Sequence, residues 1–212
     1  MSEHHEQLDR AASVMREVRE KCVWTQQITH EALVPYLIEE SHELIDAIET
    51  GDRGELREEL GDLLWQVLFH AEIASRDATA PFDIDDVAGD LADKMVRRHP
   101  HVFAGENAAT PAEVLVHWNA AKAAEKRERT SVLDGVSRGM PALALADKLL
   151  GKAAKVGVEV AATPAAEASI GDRLLALVAE AHAQNTDAEG ALRVRLRELE
   201  AEIRAAEASA KG

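Results

Sequence analysis

Apolar residues in this chain recur three and four positions apart along most of its length, and almost nowhere do they alternate one in two. A period near 3.6 puts such residues on one face of a helix, whereas a half-buried strand needs a period of two. Only seven of 212 residues are Phe, Trp or Tyr, so the usual strand formers are scarce as well. The expected class is all-α, an antiparallel helical bundle.

Helices are expected over residues 8–19, 29–49, 55–76, 83–98, 110–129 and 141–156, with weaker, Ala-rich ones over 170–182 and 188–208. Residues 22–29 break the first pattern and read as a loop. The run Thr50-Gly51-Asp52-Arg53-Gly54 reads as a turn. Asp83 to Asp86 offers caps for the fourth helix, and Thr110-Pro111-Ala112-Glu113 is a capping box with Pro at the first helical position. Two parts are expected: a catalytic helical domain over 1–130, and a linker with a degenerate helical region over 131–212.

Several functional classes fall on charge and composition. The net charge of −15 argues against a nucleic-acid partner, which calls for a basic surface. No apolar run approaches the ~18 residues of a membrane span, and the first ten residues are too polar for a signal peptide. The single cysteine, Cys22, cannot close an internal disulfide. The expectation is a cytoplasmic protein without nucleic-acid or membrane partners.

The negative charge is concentrated. Residues 37–62 hold ten acids against Arg53 and Arg57, more than half of the net charge in an eighth of the chain. The second and third helices also repeat one pattern at an offset of 19: Leu37-Ile38-Glu39-Glu40-Ser41-His42-Glu43-Leu44 matches Leu56-Arg57-Glu58-Glu59-Leu60-Gly61-Asp62-Leu63. At ~100° per residue, Leu37, Ile38, Ser41, Leu44, Ile45 and Ile48 form one stripe. Leu56, Leu60, Leu63, Leu64 and Val67 form its counterpart. Glu40 and Glu43 flank the first stripe at the angle at which Glu59 and Asp62 flank the second. Since a short turn makes the helices antiparallel neighbours, stripe-to-stripe packing gathers all four carboxylates at one seam.

Such a cluster resists its own formation. Two carboxylates ~6 Å apart at an effective dielectric of ~20 repel by roughly 3 kcal/mol, and four together raise one another's pKa. A divalent cation removes that cost, and all-oxygen ligation suits Mg²⁺, with Mn²⁺ as a substitute, rather than zinc. A di-iron centre, which needs Glu-x-x-His twice, fails on its second half because Gly61 stands where His42 is matched. For phosphates and a base, the candidates are Lys94 and Arg98, Trp118 and Lys122, each pair four apart, and Trp24 in its loop.

With these residues in view, the sequence resembles the MazG family of all-α nucleoside triphosphate pyrophosphohydrolases. The family's E-E-x-x-E followed by E-x-x-D is met by Glu39-Glu40-Ser41-His42-Glu43 and Glu59-Leu60-Gly61-Asp62. Trp24-Thr25-Gln26-Gln27-Ile28-Thr29, Glu58-Glu59-Leu60-Gly61-Asp62-Leu63-Leu64, Arg97-Arg98-His99-Pro100-His101-Val102-Phe103 and Trp118 with Lys122 read like that family's blocks, and the resemblance covers roughly residues 8 to 157. The resemblance implies Glu40, Glu43, Glu59 and Asp62 as magnesium ligands, and Lys94, Arg98, Trp118 and Lys122 as nucleotide contacts. It makes Glu39 the candidate for orienting or deprotonating the attacking water. It further implies hydrolysis between the α- and β-phosphates and a homodimer, for which Leu64, Leu68 and Phe69 are expected to lie outside the hairpin seam. No second acidic motif follows residue 141, so one centre per chain is expected. The competing class is a non-catalytic helical scaffold that binds a partner through a solvated acidic hairpin.

Overall fold

A computed structural model describes residues 5–163 and 167–210, and among these every regular element is helical. The chain divides into two compact units, one reaching to Glu125 and one starting at Lys126.

The first unit opens with α1 (His5–Lys21), followed by α2 (His30–Thr50) and α3 (Arg53–Ala74). Thr29 caps α2, its hydroxyl accepting from the Ala32 N–H. Gly51 ends that helix in the left-handed region at φ 78°, its N–H donating to the Ala47 carbonyl, and a side chain there would be strained. Asp52 immediately caps α3 by accepting from the Gly54 and Glu55 N–H groups. Two residues thus reverse the chain, and α2 and α3 pack as an antiparallel hairpin.

The core of this unit lies where α1 meets the hairpin. Met15, Ile28, Leu33, Leu68 and Phe69 are buried together, with Trp65, Ile73 and Ile84 packed against them. Leu68 and Phe69, expected outside the hairpin seam in support of a dimer, are core residues packed between α1 and the hairpin and so cannot meet a second copy. Phe69 also stacks on Trp65 at 5.5 Å and lies under the Arg19 guanidinium at 5.9 Å. Arg19 is itself buried and donates to the Ile28 carbonyl at 3.2 Å. The loop over 22–29 is tied down by the buried Thr25, whose hydroxyl donates to the Val18 carbonyl at 2.8 Å.

The two expected stripes divide. Leu37, Ser41, Leu44 and Ile45 are half-buried, as are Leu56 and Leu63, but Ile38, Ile48, Leu60, Leu64 and Val67 are exposed. Stripes this wide cannot all enter one seam, and α1 as well as α2 packs on α3. Consequently Leu60, Leu64 and Val67 leave an open apolar row on α3.

Next comes α4 (Ile84–Arg98), opened by a reciprocal capping box between Asp83 and Asp86. Pro100 does not only end it: with Pro at its first position, one further turn forms, α5 (Pro100–Phe103). In α6 (Pro111–Glu125), the Glu113 carboxylate accepts from the Thr110 N–H and the Thr110 hydroxyl from the Glu113 N–H, the expected capping box. This helix stops at Glu125, four residues before the expected end. Beyond it, the chain turns over 126–128, and the Asp134 carboxylate accepts from the Thr130 and Ser131 N–H groups at 3.0 Å each.

In the second unit, α7 (Ala142–Ala153) runs into a 3₁₀ turn over Ala154–Val156, and α8 (Ile170–Ala183) and α9 (Ala188–Ala210) follow. Its small core is Leu150, Val178 and Ala179. Ser169 and Asp172 form a capping box for α8. Among the described residues no helix is long and apolar enough to cross a membrane.

Candidate metal centre and nucleotide site

The hairpin positions the acids. Glu40 and Glu43 leave α2 one turn apart, and Glu59 faces them from α3; one carboxylate oxygen from each lies within 4.8 Å of the other two. Among the described residues this is the one group of three or more acids, histidines or cysteines so arranged. Glu40 and Glu59 are half-buried and Glu43 is exposed. One oxygen of Glu59, Oε2, is buried without a hydrogen-bond partner among the described residues.

The electrostatics match this crowding. Partial burial, then the charges of Asp62, Glu43, Glu59 and Glu39, push the Glu40 carboxyl above its ordinary value. Partial burial, then Glu43, Asp62, Glu58 and Glu55, does the same to Glu59. Asp62 is half-buried and outside the close triad, yet its charge bears on both residues. Glu39 is exposed beside Glu40. His42 is engaged elsewhere, its Nδ1 hydrogen-bonding the Ile38 carbonyl at 2.7 Å. Three converging carboxylates, one with an unpartnered buried oxygen, fit a hard divalent cation, which supplies the positive charge the site lacks.

A second cluster forms at the C-terminal ends of α4 and α6. Glu125 accepts from Arg98 Nη2 at 2.5 Å and from Arg98 Nε at 3.3 Å, and also pairs with Arg97 at 3.4 Å. Arg98 lies over the Trp118 ring at 4.7 Å, and His99 meets the same ring edge-on at 5.4 Å. Hydrogen bonding to Glu125 raises the Arg98 pKa, and the same bond lowers that of Glu125. Glu125 was missed in the sequence although it sits seven residues after Trp118, two turns along the same face.

Lys94 and Lys122 are half-buried and make no ion pair or hydrogen bond among the described residues. Trp24 is half exposed and meets Tyr36 edge-on at 6.4 Å. The hairpin therefore brings Glu40, Glu43 and Glu59 together, α4 and α6 bring Arg98 and Trp118 together, and Trp24 stands with Tyr36.

Residues 28–103 match the family model of the MazG nucleotide pyrophosphohydrolase domain. The chain is 53% identical over 194 residues to an uncharacterized 26.1 kDa protein of Streptomyces cacaoi, covering 92% of this chain and 80% of that one. It is 48% identical to a nucleoside triphosphate pyrophosphohydrolase of Mycobacterium tuberculosis, over 74% of this chain and 48% of that protein. To the Escherichia coli protein of the same name it is 39% identical, over 72% of this chain and 59% of the relative. The matches thus span 48% and 59% of the length of these two named relatives. Hairpin, acidic triad and sequence agree, and the chain belongs to the MazG family of nucleotide pyrophosphohydrolases.

Proposed function

We propose that the protein hydrolyses nucleoside triphosphates to nucleoside monophosphate and pyrophosphate in the presence of Mg²⁺, or Mn²⁺ in its place. The observation that carries this reading is the convergence of Glu40, Glu43 and Glu59 within 4.8 Å, with Glu59 Oε2 buried and unpartnered. Those three residues, with Asp62 beside them, would hold the metal, which supplies charge neutralisation for the phosphates. Lys94 and Lys122 are unpaired donors for phosphate oxygens, and Arg98 with Trp118 and Trp24 supplies the remaining cationic and planar contacts. A water adds to phosphorus, its proton passes to the Glu39 carboxylate, and the bond to the α–β bridging oxygen breaks so that pyrophosphate leaves.

The catalytic part is residues 1–130, with one centre per chain, because no second pair of acidic motifs occurs in 131–212. The same reading places the protein in the cytoplasm as a homodimer, its exposed Leu60, Leu64 and Val67 covered by a second copy. A monomeric mass by light scattering at micromolar concentration overturns the dimer. The activity is tested by pyrophosphate release from a panel of canonical, deoxy and oxidised triphosphates, with and without Mg²⁺, for the natural protein and Glu59→Ala. Magnesium-dependent pyrophosphate and monophosphate, lost in the variant, support the assignment. Orthophosphate as the product places the cleavage at another bond, and no turnover by folded protein favours the non-catalytic scaffold.

A further inference from the structure

Gln66 is completely buried in α3, yet neither its Nε2 nor its Oε1 has a hydrogen-bond partner among the described residues. A buried amide left unpaired costs far more than a typical hydrogen bond gains, and an apolar side chain of equal size would avoid the cost. Its address suggests what the amide is kept for. Gln66 follows Asp62 by four residues and Glu59 by seven, so all three lie along one face of α3. At ~1.5 Å per residue, the backbone at Gln66 stands roughly 6 Å from that at Asp62 and 10 Å from that at Glu59 along the helix axis.

The chemistry narrows the ligand. A metal ion would use only the amide oxygen, and phosphate oxygens would use only the NH₂ group. A single ligand group that satisfies both atoms must donate and accept together, as a sugar hydroxyl or the edge of a nucleobase does. In a nucleoside triphosphate whose phosphates lie at Glu40, Glu43 and Glu59, those groups belong to the nucleoside end, farther along the molecule.

We infer that Gln66 is a specificity-determining residue, its amide hydrogen-bonding the nucleoside end of the substrate while the acidic triad serves the phosphate end. This rests on the triphosphate reading of the triad. Loss of the amide weakens recognition of the nucleoside and leaves recognition of the phosphate chain intact.

The test compares the natural protein with Gln66→Met, which keeps the length of the side chain and removes its polar atoms, and with Gln66→Leu as a second fold-compatible change. Titration calorimetry in Mg²⁺ measures the affinity of α,β-methylene triphosphates carrying ribose, 2′-deoxyribose or 2′,3′-dideoxyribose with different bases, and of inorganic tripolyphosphate. Melting midpoints are taken without ligand. The expected result is an unchanged or raised midpoint, at least tenfold weaker binding of the nucleotide analogues, and unchanged tripolyphosphate affinity. Discrimination lost among the sugars assigns the partner to a sugar hydroxyl, and discrimination lost among the bases assigns it to a base edge. Unchanged analogue affinity overturns the inference, as does equal weakening of analogues and tripolyphosphate. A natural protein that binds no analogue overturns both this inference and the hydrolysis. One that binds analogues through Gln66 but releases no pyrophosphate overturns the hydrolysis alone.

Discussion

The Arg98 guanidinium lies over the ring of Trp118, its central carbon 4.7 Å from the ring centre, while Glu125 on the same helix as Trp118 grips two of its nitrogens. An arginine so held is oriented before any ligand arrives, because its planar fork is fixed on one side by a carboxylate and on one face by an indole. Lysine keeps the charge and loses both constraints. Arg98→Lys is expected to lower stability by ~1 kcal/mol and to raise KM for triphosphates roughly tenfold. Thermal melts and steady-state kinetics measure the two effects, and a variant equal to the natural protein in both would leave the clasp without a role.

Lys94 and Lys122 present the opposite case. Neither has a partner among the described residues, so neither has an interaction to lose in the free protein. Lys94→Met and Lys122→Met are expected to change stability by less than ~0.5 kcal/mol while raising KM about tenfold each, through lost charge-assisted bonds to phosphate. Unchanged KM with lowered stability would make them structural residues.

How much of this was legible beforehand differs from residue to residue. The hairpin follows from signals that act locally: Thr29, Gly51 and Asp52 fix the ends of α2 and α3 through their own side chains or backbone. Glu40, Glu43 and Glu59 follow from helical spacing plus the short turn, since antiparallel neighbours leave little freedom in register. The inner and outer parts of the apolar stripe were not legible, because Leu68 and Phe69 are buried by Met15 and Leu33, a choice of partner that no period encodes. Glu125 was hidden for a similar reason: its importance arises from Arg98, 27 residues earlier on another helix.

The rings of His30 and His70 stack at 5.0 Å with their Nδ1 atoms 2.7 Å apart, joining the start of α2 to the end of α3. One nitrogen must donate and the other accept, so the pair holds together with one of the two carrying its proton there and not both. Burial, and then the His30 charge, push the His70 pKa below its ordinary value near 6.5. Two acids, Asp77 and Glu31, couple to the His30 charge; the Asp77 carboxylate is held down to about 2, chiefly by the Thr79 hydroxyl and the Ala80 and Thr79 N–H groups, so it stays ionised. A depressed histidine pKa means that the unfolded chain binds protons the folded chain refuses. The stability contributed by the neutral pair is present above pH ~6.5 and declines as the pH falls below it. Urea unfolding between pH 5 and 8 is expected to show that decline, and His70→Phe to flatten it. An identical slope in the variant would assign the pH dependence to other groups.

Glu59 yields a prediction with two opposed signs. In the metal-free protein its carboxyl pKa is raised, so the folded state holds a proton more tightly than the unfolded chain does. Stability therefore falls as the pH rises from the ordinary carboxylate range through the raised value, and at neutral pH the ionised triad weakens the hairpin it sits on. Glu59→Gln keeps the shape, removes one of the mutually repelling charges, and is expected to melt at a higher temperature than the natural protein without metal. A cation bound only by the folded state adds about 2.7 kcal/mol at a hundredfold excess over Kd, a midpoint shift of roughly 5–10 °C for a chain of this size. Mg²⁺ is expected to produce that shift in the natural protein and little of it in Glu59→Gln, reversing their order of stability. Differential scanning calorimetry with and without Mg²⁺ reads both signs at once. If the metal raised both midpoints equally, the ion would be bound away from Glu59; if the variant melted lower without metal, the Glu59 carboxylate would be stabilising the hairpin through a contact rather than straining it.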